Sequence, residues 1–127
     1  MSNFLGVSKD EPTFTSLNVV GLQYESTQDN ITAFAGGGQA SATPITAMNG
    51  RVTTVATAAD SVKLMPSAKG LIVYVTNAHA SNSMNVFPAV GDTINALSVN
   101  TAFAVAAGKT CGFICYSAGQ WHTLLTA

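Results

Sequence analysis

A chain of 127 residues has room for one hydrophobic core and hardly for two. Only 9% of its residues are charged and its formal net charge is -1, where an ordinary soluble domain carries about 25% charged residues, so little repulsion keeps copies apart and much of the surface is expected to be covered by partners. Its few Lys and Arg residues are nowhere clustered, which excludes the basic stripe of a nucleic-acid binder, and no apolar run approaches the ~20 residues of a membrane-crossing helix; neither nucleic acid nor a membrane is an expected partner.

The start, MSNFLGVSKDEPTF, lacks a basic stretch followed by a long apolar core, so it does not read as a secretory signal and synthesis in the cytoplasm is expected. Residues 1–40 show no persistent apolar period. Their carboxylates Asp10, Glu11, Glu25 and Asp29 outnumber the single Lys9, whereas Arg51, Lys63, Lys69 and Lys109 outnumber Asp60 and Asp92 in the remainder. Pro12 to Val19 alternates apolar and hydroxyl residues imperfectly, as a strand that pairs late or with a neighbour would. The run Gly36-Gly37-Gly38 is costly to order and reads as a hinge. The segment 1–40 is therefore expected to be an N-terminal arm and linker, with Phe4, Leu5 and Phe14 as apolar anchors and Asp10 and Glu11 as acidic contacts to a partner surface.

From residue 41 to 127 short β-rich runs alternate with turn residues, and no window holds a helical stripe. Arg51 to Val55 is rich in β-branched residues, and Ser61 to Met65 alternates until Pro66 stops it. Leu71 to Asn77 is the most apolar run and is expected at the centre of a sheet. Met84 to Phe87 follows a polar loop, and Pro88 with Gly91-Asp92 marks the next turn. The last third gives strands at Thr101 to Val105, Thr110 to Tyr116 and Gln120 to Leu125. Cys111, Phe113 and Cys115 fall on one face of their strand and Ile114 and Tyr116 on the other, so both faces are expected to be at least partly covered. Short strands at intervals of about 8–12 residues predict an all-β body, a β-sandwich or jelly-roll-like small barrel carrying the extended arm.

Chemistry is thinly represented. The glycine run is followed by no Lys-Ser/Thr pair and is no phosphate loop. His79 reads as a solvated loop residue and His122, beside Trp121, as half-buried packing; nothing joins either to Asp60 or Asp92 as a catalytic set. Asp92 reads as fixing its turn through the backbone. Cys111 and Cys115, four apart on one strand, lie too far apart to bridge and are expected to be reduced core residues without metal. Trp121 is expected in the core, with sugar stacking as its lesser reading. No enzyme, cofactor or metal is expected.

From Val52 to Leu125 the chain resembles a β-domain of structural proteins of tailed bacteriophages, capsid decoration (cement) proteins and head- or tail-fibre modules. The matching stretches are Asp60 to Pro66, Gly70 to Asn77, Asn85 to Asn95, and Ala107-Gly108-Lys109 with Phe113 and Trp121. The Pro88 to Asn95 stretch, with Gly91, Asp92 and Asn95, is the most specific. The resemblance implies a virion component without activity, commonly a homotrimer. An acidic arm before a weakly charged body favours a decoration protein that binds the major capsid protein on the capsid exterior. The alternative is a receptor- or glycan-binding fibre module using Trp121, Tyr74 or Tyr116 as a stacking platform.

Overall fold

The computed structural model describes residues 15–36 and 38–126. Ten strands are formed among them: β1 (Thr27–Thr32), β2 (Thr43–Pro44), β3 (Asn49–Thr54), β4 (Ser61–Lys63), β5 (Ile72–Asn77), β6 (Met84–Phe87), β7 (Thr93–Ile94), β8 (Phe103–Val105), β9 (Thr110–Ser117) and β10 (Gln120–Leu125). A six-stranded sheet has the order β1-β3-β5-β9-β10-β7 and a four-stranded sheet the order β2-β4-β6-β8. Through β8, each strand is thus followed by one in the other sheet. Strands two apart in sequence pair in parallel, β1 with β3, β3 with β5, β2 with β4 and β4 with β6. The chain winds as a β-solenoid of about 4 turns.

This overturns the sandwich or jelly-roll-like barrel expected from the sequence; only its all-β character stands. Sandwiches and jelly rolls are built from antiparallel neighbours. Here the turn residues between strands carry the chain across to the opposite sheet, and short strands separated by turns read alike in both architectures. The expectation of an arm and linker over 1–40 meets a further finding. Thr27–Thr32, inside that segment, is the first strand of the large sheet, paired with β3 from Thr27 opposite Asn49 to Thr32 opposite Thr54. Gly36 and Gly38 lie in the connection from β1 to β2, where the Gly38 carbonyl accepts the Ser41 and Ala42 N–H groups.

The winding ends antiparallel. In the small sheet β8 runs against β6, and in the large sheet the β9–β10 hairpin fills the space between β5 and β7, with β9 antiparallel to β5. Its turn, Ala118-Gly119, places Gly119 at φ 88°, a backbone setting that Gly takes without steric cost.

The core lies between the sheets. Val52, Val73, Val75, Phe113 and Trp121 of the large sheet face Val62, Met84, Val86 and Val105 of the small one, all fully buried. The Phe103 ring on β8 meets Phe113 on β9 edge-on, centroids 6.2 Å apart, which ties the two sheets together. Each buried apolar side chain of this kind stabilises the fold by about 1.5–3 kcal/mol.

Polar side chains hold the corners, where no ladder satisfies the backbone. Buried Asp60 accepts the Thr57 N–H (2.9 Å) and the Gly36 N–H (3.3 Å), fastening one winding to the next. Buried Asn77 donates to the Asn82 and Val105 carbonyls (2.9 and 3.0 Å), and Asn82 donates in turn to the carbonyls of Val55 and Ala56 (2.8 and 3.1 Å). The amides thus form a ladder across successive turns.

A candidate interaction surface on the large sheet

Alternation along a strand sends every second residue of β5, β9 and β10 away from the core. The outward set is Ile72, Tyr74 and Thr76 on β5, Thr110, Gly112, Ile114 and Tyr116 on β9, and Gln120, His122 and Leu124 on β10. It contains no Asp, Glu, Lys or Arg. In register, Ile72 lies opposite Ile114, Tyr74 opposite Gly112, and Gly112 opposite Leu124. The Tyr74 ring leans over Gly112 so closely that a Cβ there would come within 3.0 Å of Tyr74 Cε1; the missing side chain lets the aromatic lie along the sheet. Tyr116 and His122 stack edge-on with centroids 5.6 Å apart. Ile72, Tyr74, Tyr116 and Leu124 all remain exposed, Leu124 at 62%. The expectation that both faces of β9 are at least partly covered holds: the inner face is closed, and on the outer face Gly112 is buried, Thr110 and Ile114 are half-buried and Tyr116 is exposed.

Beside β5 this face dips into an open cleft of about 320 Å³ lined by Glu25, Met48, Asn49, Gly70, Ile72 and Tyr74. Glu25 belongs to the stretch 15–26, which precedes β1 and contains no strand. Its root is fixed: the Ser26 carbonyl accepts the Asn49 N–H and the Ser26 Oγ accepts the Met48 N–H, each at 3.0 Å. Beyond that root the stretch carries Leu17, Val19, Val20, Leu22 and Tyr24, of which Val20, Leu22 and Tyr24 are 93%, 80% and 84% exposed. Gly21, at φ 104°, bends it between two apolar pairs. On the far side of β3 the only ion pair among the described residues, Arg51 with Asp29 (Nε to Oδ1, 2.7 Å), neutralises itself. The guanidinium holds the Asp29 carboxyl below its ordinary value.

The sequence-predicted residues separate into groups. Phe4, Leu5, Asp10, Glu11 and Phe14 lie outside the described residues. Pro88, Gly91, Asp92 and Asn95 build corners. The Pro88 carbonyl accepts the Gln39 amide (2.7 Å), Gly91 takes φ 92°, and the Asp92 carboxylate accepts the Ser67 N–H from a neighbouring connection (3.1 Å) instead of bonding two residues ahead. Asn95 donates to Thr123 Oγ1 (2.8 Å) and accepts the Thr123 N–H (3.1 Å), tying β7 to β10.

Trp121 is fully buried, which removes it as a stacking platform, while Tyr74 and Tyr116 are exposed. His122 is exposed on the face opposite Trp121, because adjacent strand residues point opposite ways. His79, expected to be solvated, is half-buried and its Nδ1 accepts the Ser81 and Asn82 N–H groups (3.2 and 3.0 Å). Cys111 and Cys115 are buried and free, and burial pushes the Cys111 thiol up to about 12. The sequence places Ile114 with Tyr116 on the face opposite Cys111, and Leu17 and Val19 in a strand pairing late or with a neighbour, but does not single out Ile72, Leu124 or the residues from Val20 to Tyr24. The signal for the sheet residues was present in the run Leu71 to Val75, apolar at odd and even positions alike.

Comparison of the chain with family models, with curated proteins and with solved structures finds no match.

Proposed function

We propose that the chain is a non-enzymatic structural protein of a bacteriophage virion. It assembles with itself, three copies being the expected number, on the outer surface of the capsid, where it binds the major capsid protein and stabilises the shell. The observation that carries this reading is the combination of a closed, polar-cornered solenoid with an outer face on β5, β9 and β10 that bears no charge and exposes Ile72, Tyr74, Tyr116 and Leu124, and a fixed-root apolar stretch that is also exposed. A single chain gains nothing from such surfaces in water, whereas an assembly buries them. A protein that binds only the assembled shell raises the shell's stability by mass action. The resemblance of Asp60 to Pro66 and of Asn85 to Asn95 to phage decoration proteins supplies the identity of the shell.

The test is the composition of particles purified from cells carrying the genome that encodes the chain. The account expects the protein on the particle exterior at a copy number near that of the major capsid protein; its absence from intact particles would overturn the reading. A second reading, a glycan-binding fibre module, draws on the exposure of Tyr74 and Tyr116 on one uncharged face, since exposed aromatic rings offer sugars a flat apolar surface. A glycan array separates the two: selective binding lost in Tyr116→Ala favours the fibre module.

A further inference from the structure

We propose that the stretch Leu17–Tyr24 of one copy packs across the outer face of the large sheet of a second copy, so that the chain assembles by exchanging arms. This rests on the self-assembly part of the function proposed above and specifies its contact surface. The two surfaces match in chemistry. Leu17, Val20, Leu22 and Tyr24 bring no charge, and the strands β5, β9 and β10 present none outward, so a contact over those strands that stays clear of Glu25 in the cleft and of Arg51, outward on β3 beside Thr76, desolvates no ion. They also match in size. An extended run from Leu17 to Tyr24 reaches roughly 26 Å at ~3.3 Å per residue, whereas three adjacent strands span only about 10 Å between the outer two.

Within one copy the arm's apolar residues and the face remain apart: Ser26 is fixed at Met48 and Asn49 beside the cleft that Tyr74 lines, yet Tyr24 and Tyr74 are both exposed. The area is sufficient for a stable contact. Burying an apolar side chain of this size takes roughly 60–120 Å² of apolar area out of water. Eight partly exposed side chains, four from each surface, then bury about 500 Å² of apolar area per contact. With apolar atoms forming roughly 60% of an interface, each contact buries about 800 Å² in all. A closed ring in which every copy gives one arm and receives another removes about 800 Å² from each protomer, the share that each partner contributes to a standard specific interface.

The experiment uses full-length chains carrying tags of two sizes, one with Val20→Cys and the other with Tyr116→Cys, coexpressed and then oxidised. The native Cys111 and Cys115 are buried, and chains without the added cysteines serve as the control. The expected product is a disulfide between the two differently tagged chains. Light scattering on Leu22→Lys and Leu124→Lys accompanies it, with circular dichroism to verify the fold; each charge is expected to weaken assembly by roughly 30-fold or more, the effect of losing about 2 kcal/mol at an interface centre. Closure of a double Val20→Cys, Tyr116→Cys chain on itself at monomer mass would overturn the proposal. So would oligomers that persist in both lysine variants without forming the cross-link, which leaves self-assembly standing. A monomeric wild type would overturn this proposal and the self-assembly on which it rests; if its lysine variants then failed to bind capsids, the face would belong to the capsid protein.

Discussion

The two faces of β5 and β9 are made of similar residues and end in opposite environments. Inward, Val73, Val75, Cys111, Phe113 and Cys115 meet the small sheet and are lost to water; outward, Ile72, Tyr74 and Tyr116 meet solvent. Apolar character on both faces of a strand says that both will be covered but leaves open by what. On the inner face the cover is the next half-turn of the same chain. On the outer face the described chain covers Gly112 and half-buries Thr76, Thr110 and Ile114 but leaves Ile72, Tyr74 and Tyr116 in solvent, which is the physical basis for assigning those residues to another molecule.

Substitutions that open the inner face have the largest expected effect. Phe113→Ala removes the ring that meets Phe103 and leaves a cavity, and is expected to cost about 3–5 kcal/mol; a shift of the urea midpoint measures it, and an unchanged midpoint would contradict the placement of the core. Next comes the corner. Asp60→Ala removes the buried carboxylate that accepts the Thr57 and Gly36 N–H groups and is expected to cost about 1–3 kcal/mol, with Asp60→Asn milder because an acceptor oxygen remains.

Alkaline pH acts on the same closed face through Cys111. Its thiol holds its proton more tightly folded, with a pKa of about 12, than at the ordinary value of 9.0. Above pH 9 the unfolded chain releases this proton and the folded chain does not, so stability is full below that point and falls as pH rises toward 12. Urea midpoints between pH 8 and 11 should show a decline that Cys111→Ala reduces. The same burial implies slow reaction with thiol reagents at pH 8. The smallest effect is expected at the exposed Arg51–Asp29 pair: Asp29→Asn should barely move the melting temperature, and added salt should remove the difference.

Strand positions in the body were largely legible from the residues. Pro88 follows the end of β6 at Phe87 as expected, β4 stops at Lys63 ahead of Pro66, and the alternation of Cys111, Phe113 and Cys115 placed them inward. Pairing was not legible. Whether a turn folds a strand back on its neighbour or hands it to the opposite sheet depends on long-range contacts, such as Asp60 with Gly36 and Asn82 with Val55, and no fixed repeat length marks the windings. The strand β1 was hidden because Thr27–Thr32 is polar except for Ile31; its partner β3 decides its fate. Of the candidate surface, Tyr74 and Tyr116 were named in advance as exposed aromatics. Their neighbours Ile72 and Leu124 could not be, because an outward apolar residue on an apolar strand looks in sequence like a core residue.

The most direct test of the account is the solution molar mass of the wild-type chain beside Tyr74→Lys, measured by light scattering over a wide concentration range. Tyr74 is outward and 43% exposed and its ring covers Gly112, so its replacement should cost the fold roughly 1 kcal/mol and leave it folded. The account predicts an oligomer for the wild type and a folded monomer for the variant. A wild type that stays monomeric at every concentration, or a variant that assembles as well as the wild type, would contradict it.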